Sequence, residues 1–123
     1  METESTARAI VDAAYRVHSA LGPGLLESTY ERVLSYELRT RGMKVETQIP
    51  VSVQYRDLFV PCGYRLDMLI HECVIVEVKA VEQTLPVHRA QLLTYLKLTS
   101  LRLGLLINFN VPLIKSGIKR IIL

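Results

Sequence analysis

The residues best suited to chemistry are two opposite charges in an otherwise apolar segment. Glu77 and Lys79 stand two residues apart at the end of a run rich in β-branched residues. Side chains alternate along a strand, so both charges lie on one face. Charged groups seldom occupy a buried strand unless they are paired or used in function. A single acid, Asp67, interrupts the preceding apolar segment and is a third candidate for the same cluster.

The turn between these two segments decides whether Asp67 and Glu77 share a face. A three-residue loop, 71–73, places Asp67 opposite Glu77 and brings both carboxylates and the lysine together. A two-residue loop, 71–72, places Asp67 opposite Val76 and sends Glu77 to the other face. The turn contains no Gly or Asn that would select one loop. We predict the three-residue loop because it unites the charged groups.

Such a cluster has a chemical use. Two carboxylates close together repel each other, so a divalent cation stabilises them, and oxygen ligands select hard cations such as Mg²⁺ or Mn²⁺. A metal held in this way activates water and neutralises charge on a phosphate, and Lys79 would orient the water or stabilise the phosphate. The alternative is an ordinary ion pair between Glu77 and Lys79 at a sheet edge, with Asp67 capping a turn. The pattern alone leaves both interpretations open.

The apolar periodicity predicts an α/β arrangement that would carry these groups. Helical spacing indicates one helix ending at Gly22 and a second ending at Gly42. Strand patterns occur at 45–49, 51–55, 60–69, 73–78, 102–109 and 117–123, with a helix opening at Pro86 before the last two. The segment 73–78 is apolar on both faces and is predicted to be a central strand. The resulting order is α-α-β-β-β-β-α-β-β, a mixed β-sheet flanked by helices.

Composition restricts the class of protein. The chain has 123 residues, 50% hydrophobic and 22% charged, which predicts one globular domain over 1–123. No apolar run approaches the ~20 residues of a membrane-spanning helix, and the first residues are unlike a signal peptide, so we predict a cytoplasmic protein with no membrane partner. The net charge of +3 permits an anionic partner. Cys62 and Cys73 are too few for a disulfide scaffold and are predicted to be reduced core residues.

The chemistry-bearing residues also occur in a recognisable arrangement. Asp67, nine intervening residues and then Glu77-Val78-Lys79, placed between helices, resemble the PD-(D/E)XK nuclease superfamily. The segment from Gly24 to Tyr30 resembles the motif that names its GxxExxY branch. The other segments that carry the resemblance are 17–18, 21–24, 64–67, 90–97 and 104–109, so it covers the chain from about Ala9 onward. In one departure, Leu66 replaces the proline of the superfamily's name, which is not a metal ligand.

The resemblance implies a restriction-endonuclease-like core and a Mg²⁺- or Mn²⁺-dependent nuclease site at one edge of the sheet. Asp67 and Glu77 match the metal-binding acids, and Lys79 matches the lysine that positions the nucleophile. Glu27 matches a helix glutamate that supports the metal, and Gln91 matches a glutamine that orients the lysine or the water. The implied partner is nucleic acid, with DNA favoured over RNA. Because the chain offers no separate recognition domain, target selection is expected from a partner or from a homodimer.

Further candidates surround this set. Tyr30, one turn after Glu27, could contact that acid or a substrate phosphate, and the alternative is a half-buried core tyrosine. Lys97 could contact a phosphate, and the alternative is an exposed lysine with no specific role. Glu31 could join the acids, although a solvated helix face is expected, and Tyr95 is predicted to pack. The alternative function is a non-catalytic nucleic-acid- or protein-binding module that retains the nuclease fold.

Overall fold

The computed structural model describes residues 2–123, apart from the side chain of Cys62. Within these residues it contains three α-helices, one 3₁₀ turn and one five-stranded sheet. The elements in chain order are α1 (Thr3–Leu21), α2 (Glu27–Thr40), β1 (Val45–Tyr55), β2 (Leu58–Ile70), β3 (Val74–Lys79), α3 (Pro86–Thr99), β4 (Leu103–Asn108), the 3₁₀ turn (Ile114–Gly117) and β5 (Ile118–Ile122). The predicted α/β class, with a mixed sheet and flanking helices, is confirmed.

One boundary differs from the sequence prediction. The segments 45–49 and 51–55 are parts of one continuous strand, β1, so three strands rather than four precede α3. Pro50 pairs opposite Arg65 within this strand without ending it. Proline has no N–H to donate to a neighbouring strand, so it disrupts a central strand, which pairs on both sides. It is tolerated in β1 because this strand lies at the edge of the sheet and pairs on one side only.

The order of strands in the sheet is the order in the chain, β1-β2-β3-β4-β5. All neighbours are antiparallel except β3 and β4, which run parallel and are joined through α3. A parallel connection must cross over one face of the sheet, and a helix does so while keeping its backbone hydrogen bonds. The prediction that 73–78 forms a central strand is confirmed, because β3 lies third in the sheet and is buried from Val74 to Val78.

The sheet separates two apolar cores. One core packs α1 and α2 against the sheet, and its largest side chains include Ile10, Tyr30, Leu34, Leu38, Met68, Ile70 and Phe109. The other packs α3 against the opposite face through Leu66, Ile75, Leu92, Tyr95, Leu96 and Leu106. No helix in residues 2–123 is long and apolar enough to cross a membrane. Cys73 is a free, half-buried thiol, whereas the prediction for Cys62 falls on a side chain outside the described residues.

The predicted three-residue loop between β2 and β3 is confirmed. Ile70 pairs with Val74 and Met68 with Val76, so 71–73 form the turn. His71 and Glu72 adopt left-handed backbone conformations with φ of 49° and 55°. Non-glycine residues pay a steric penalty there. The register is set instead by burial, because it places the apolar side chains of both strands in the α1–α2 core.

Candidate active site

Two carboxylates lie where β2 and β3 separate. Regular pairing of these strands ends at Met68 and Val76, and the next residues along are Asp67 and Glu77. The Asp67 backbone N–H donates to Glu77 Oε1 at 3.2 Å, and the Val78 N–H donates to Asp67 Oδ2 at 2.9 Å. At this point the carboxylate oxygens of the two acids, rather than backbone carbonyls, accept the hydrogen bonds of the backbone N–H groups. This arrangement holds the carboxyl groups side by side while each keeps a second oxygen.

The local electrostatics disfavour two negative charges at this point. Glu77 is only 5% exposed. Its burial, and next the charge of Asp67, raise its pKa to about 8, while the nearby Lys79 opposes the shift. In the absence of a cation Glu77 therefore keeps its proton near neutral pH. A bound divalent cation would replace that proton and leave Glu77 ionised.

Lys79 and Glu27 approach the acids from the end of β3 and the start of α2. Lys79 Nζ lies 4.0 Å from Glu27 Oε1, and the lysine side chain is 17% exposed. Glu27 is the first residue of α2, where the helix dipole favours a negative charge. The structure thus brings together four of the residues predicted from sequence: Glu27, Asp67, Glu77 and Lys79.

A cavity of about 370 Å³ opens beside this group. It is lined by Glu27, Glu31, Asp67 and Gln48, together with Leu26, Ser28 and Val78. Burial and the charges of Asp67 and Glu27 raise the pKa of Glu31, and the hydrogen bond from Gln48 Nε2, at 2.7 Å, opposes this rise. Glu31 therefore belongs to the acid cluster, although a solvated helix face was expected for it.

Gln48 occupies an unusual position in β1. It falls between the pairs Thr47–Met68 and Ile49–Leu66, which places it opposite Asp67. Its φ of 54° is left-handed, a strained state for a glutamine inside a strand.

The strained residue coincides with a change of face in both strands. Val45 and Met68 pack in the α1–α2 core, whereas Ile49 and Leu66, on the other side of this point, pack with α3. Regular alternation would keep Met68 and Leu66 on one face. The irregularity thus rotates the strands at Asp67 itself. No sequence signal marks it, because glutamine, unlike glycine or asparagine, has no preference for the left-handed region.

On the α3 side, Gln91 contacts a tyrosine rather than Lys79. Gln91 Nε2 donates to the Tyr95 hydroxyl at 3.0 Å. Tyr95 is 4% exposed, and its pKa is raised by burial and next by the charge of Glu77. Tyr95 packs in the core, as predicted, and its hydroxyl is within the electrostatic influence of the acids. Gln91 therefore bonds to Tyr95, and the two acids act on this tyrosine through their charge.

Tyr30 and Lys97, the two predicted substrate contacts, lie elsewhere. Tyr30 is fully buried and stacks on Phe109 at 4.6 Å between ring centroids. Its hydroxyl donates to the Gly22 carbonyl at 2.5 Å and accepts from the Leu25 N–H at 3.1 Å. It thus fastens the turn that leads into Glu27 and does not face substrate, in agreement with the core alternative.

Lys97 is exposed in the last turn of α3. A helix turns about 100° per residue, so the Lys97 side chain lies roughly 200° around the axis of α3 from Tyr95. It therefore points away from the side of α3 that packs on the sheet. A contact between Lys97 and a phosphate at the site therefore has no support in this geometry.

The donor set suits a hydrated hard cation better than an enclosed one. Among residues 2–123, no three His, Cys, Asp or Glu side chains converge closely enough to enclose a metal ion. Mg²⁺, however, commonly binds one or two carboxylates and completes its shell with water and phosphate oxygens. Asp67 and Glu77 fit that pattern. Glu27 is engaged with Lys79 and would support the metal through a water molecule.

The fold is that of a restriction-endonuclease-like domain. The sequence model of the PD-(D/E)XK nuclease superfamily matches residues 4–121. The chain therefore belongs to the PD-(D/E)XK nuclease superfamily, whose members generally use divalent metal ions and act on nucleic acid. Comparisons with curated proteins and with solved structures find no match.

Proposed function

We propose that this protein is a Mg²⁺- or Mn²⁺-dependent nuclease of the GxxExxY branch that hydrolyses phosphodiester bonds in nucleic acid, DNA in preference to RNA. The observation that carries the proposal is the pair of carboxylates, Asp67 and Glu77, held side by side at the separation of β2 and β3 with Lys79 beside them. A structural ion pair between Glu77 and Lys79 alone would require no second, half-buried acid beside Glu77.

Each residue has a role that follows from its position. Asp67 and Glu77 would hold the metal, which supplies an activated water and neutralises charge on the phosphate. Lys79, tethered near Glu27, would position the attacking water and stabilise the negative charge of the phosphate. Glu27 would bind water around the metal. Gln91 would act through the Tyr95 hydroxyl.

The GxxExxY motif has a physical interpretation in this fold. Gly24 has a φ of 105°, a conformation that a side chain would strain, in the turn between α1 and α2. Glu27 follows at the start of α2, and Tyr30 bonds back to Gly22 and Leu25. The motif thus combines a turn, the acid that the turn presents and the tyrosine that fastens the turn. This coherence supports membership of the branch.

A cleavage screen tests the proposal. Single-stranded and duplex DNA, RNA and branched DNA are incubated with Mn²⁺ and, separately, with EDTA. We expect cleavage with Mn²⁺ that disappears in EDTA and in Lys79→Ala. The matched control is Lys115→Ala, which removes an exposed lysine from the 3₁₀ turn. Cleavage that persists in Lys79→Ala would contradict the assigned site. Size-exclusion chromatography with light scattering would test the predicted homodimer.

A non-catalytic binding module is the second candidate. It is favoured by the absence, among the described residues, of three acids that enclose a metal, and by the contact of Gln91 with Tyr95 rather than with Lys79. Isothermal titration with Mn²⁺ separates the two functions. The nuclease predicts binding that Asp67→Ala abolishes. No metal binding, together with unchanged nucleic-acid affinity in Asp67→Ala, would favour the module.

A further inference from the structure

A second groove continues from the acid site along α2. Its volume is about 510 Å³, and Glu31 lines both this groove and the acid cavity. We call it the α2 groove and define it by the other residues that line it, Arg32, Ser35, Tyr36, Arg39, Thr40 and Thr47. Glu31 marks its boundary, where Gln48 holds that carboxylate. The two cavities therefore share a wall, and a strand leaving the acids can enter the groove directly.

The groove carries positive charge in a prearranged form. Arg39 Nη2 donates to the Val45 carbonyl at 3.0 Å, which anchors the guanidinium and leaves its other N–H groups for a ligand. Arg32 is exposed and has no ion-pair partner among the described residues. Arginine binds phosphate oxygens through several parallel N–H donors. The two cations thus define an anion-binding wall.

A buried hydroxyl in the groove also lacks a partner. Ser35 is 3% exposed, and its Oγ makes no hydrogen bond within the described residues. Buried polar groups are normally paired, and an unpaired one costs free energy. Ser35 lines the groove, so a χ1 rotamer that turned its hydroxyl toward the groove would allow a ligand oxygen to supply the missing partner. This feature is independent of the charge of the groove.

The spacing along α2 matches a polynucleotide. Arg32 and Arg39 are seven residues apart, so they are separated by roughly 10 Å along the helix axis. That length corresponds to about three steps of a stacked strand at about 3.4 Å each. Tyr36 lies between them and is 70% exposed, so its ring is accessible to a base. Cations alternating with an exposed ring are the arrangement that binds single strands.

We propose that the α2 groove binds the sugar–phosphate backbone of the nucleic-acid strand that leaves the acid site, with Arg32 and Arg39 on phosphates and Tyr36 stacked on a base. The inference rests on the proposed function for the identity of the strand, but binding in the groove requires no cleavage. It would also give a small catalytic core its own means of orienting substrate.

The test is strand affinity measured by fluorescence anisotropy. A labelled single-stranded DNA of about 12 nucleotides is titrated with the protein in Ca²⁺, and gels confirm that the strand stays intact. We expect Arg32→Ala and Arg39→Ala each to weaken binding about fivefold and to reduce the salt slope by roughly 0.7. Tyr36→Ala should weaken binding about tenfold, whereas Tyr36→Phe should bind like the wild type. The matched control, Arg16→Ala, removes an exposed arginine of α1 and should change nothing.

The outcomes separate this inference from the proposed function. Circular dichroism checks that each variant folds. If Arg39→Ala disturbs β1 through loss of the bond to the Val45 carbonyl, the comparison relies on Arg32→Ala. A strand with an uncharged methylphosphonate backbone should bind weakly and be insensitive to Arg32→Ala. Cleavage by the wild type with equal strand affinity in both arginine variants would overturn the inference and leave the nuclease intact. Strand binding that needs Arg32 and Arg39, without cleavage in any metal, would support the groove and overturn the nuclease. Binding of inorganic phosphate but not of the strand would also overturn the groove.

Discussion

Glu77→Gln is expected to stabilise the metal-free protein at alkaline pH. The substitution removes a charge that burial and Asp67 both oppose. It keeps an oxygen at the position of Oε1, which accepts from the Asp67 N–H, and it preserves the shape of a buried side chain. Since folding raises the pKa of Glu77, the folded protein binds a proton more tightly than the unfolded chain does. Stability is therefore greatest below the unfolded pKa and falls as the pH rises through the interval up to the folded pKa.

The magnitude follows from the two pKa values. Raising the pKa from 4.5 to about 8 corresponds to roughly 5 kcal/mol once the pH exceeds both values. Roughly 3 kcal/mol of this loss is already present at about pH 7. The figure applies to Glu77 in the presence of the neighbouring Asp67 carboxylate. A domain of this size is commonly stable by about 5–15 kcal/mol, which makes the effect large.

Urea unfolding in EDTA at about pH 5 and about pH 9 measures the effect. We expect the wild type to lose several kcal/mol between the two pH values and Glu77→Gln to lose much less, so that the variant is the more stable protein at alkaline pH. Mn²⁺ should restore the wild type at alkaline pH and leave the variant nearly unchanged. The reasoning is refuted if Glu77→Gln is the less stable protein at alkaline pH, because Glu77 would then be a stabilising ion-pair partner of Lys79.

Three further outcomes follow from the site. Gln48→Gly should be more stable than Gln48→Ala by roughly 1 kcal/mol in urea unfolding, since only glycine adopts a φ of 54° without strain; equal stability would argue against a strained strand. Tyr30→Phe should cost about 1–3 kcal/mol, because it leaves the Gly22 carbonyl and the Leu25 N–H without their partner, whereas the exposed Tyr15→Phe should cost almost nothing. Mn²⁺ affinity measured calorimetrically should rise with pH through the pKa of about 8 of Glu77, because metal and proton compete; affinity independent of pH would place the metal elsewhere.

Some features of the site were predictable because they depend on neighbours in the chain. Periodicity and residue type predict three of these features. They are the turn at Gly22 and Gly24, the central position of the strand that contains Glu77, and the presence of Asp67 and Glu77 in adjacent strands. The choice between two hairpin loops was less secure, because His71 and Glu72 adopt left-handed conformations that neither residue favours. Packing of the apolar side chains in both strands decided it.

The amino-acid sequence by itself determined the α/β class, the superfamily and the order of helices and strands, except that β1 is one strand rather than two. It also marked Asp67, Glu77 and Lys79 as candidates for one cluster. Only the tertiary structure decided that Gln48 rotates the strands at Asp67, that Tyr30 fastens the turn before Glu27 and that the α2 groove adjoins the acids. The physical reason is the range of the interactions. The periodicity of the sequence indicates which face of a helix or strand is buried. Contacts between elements distant in sequence arise only when the cores on both faces of the sheet pack together.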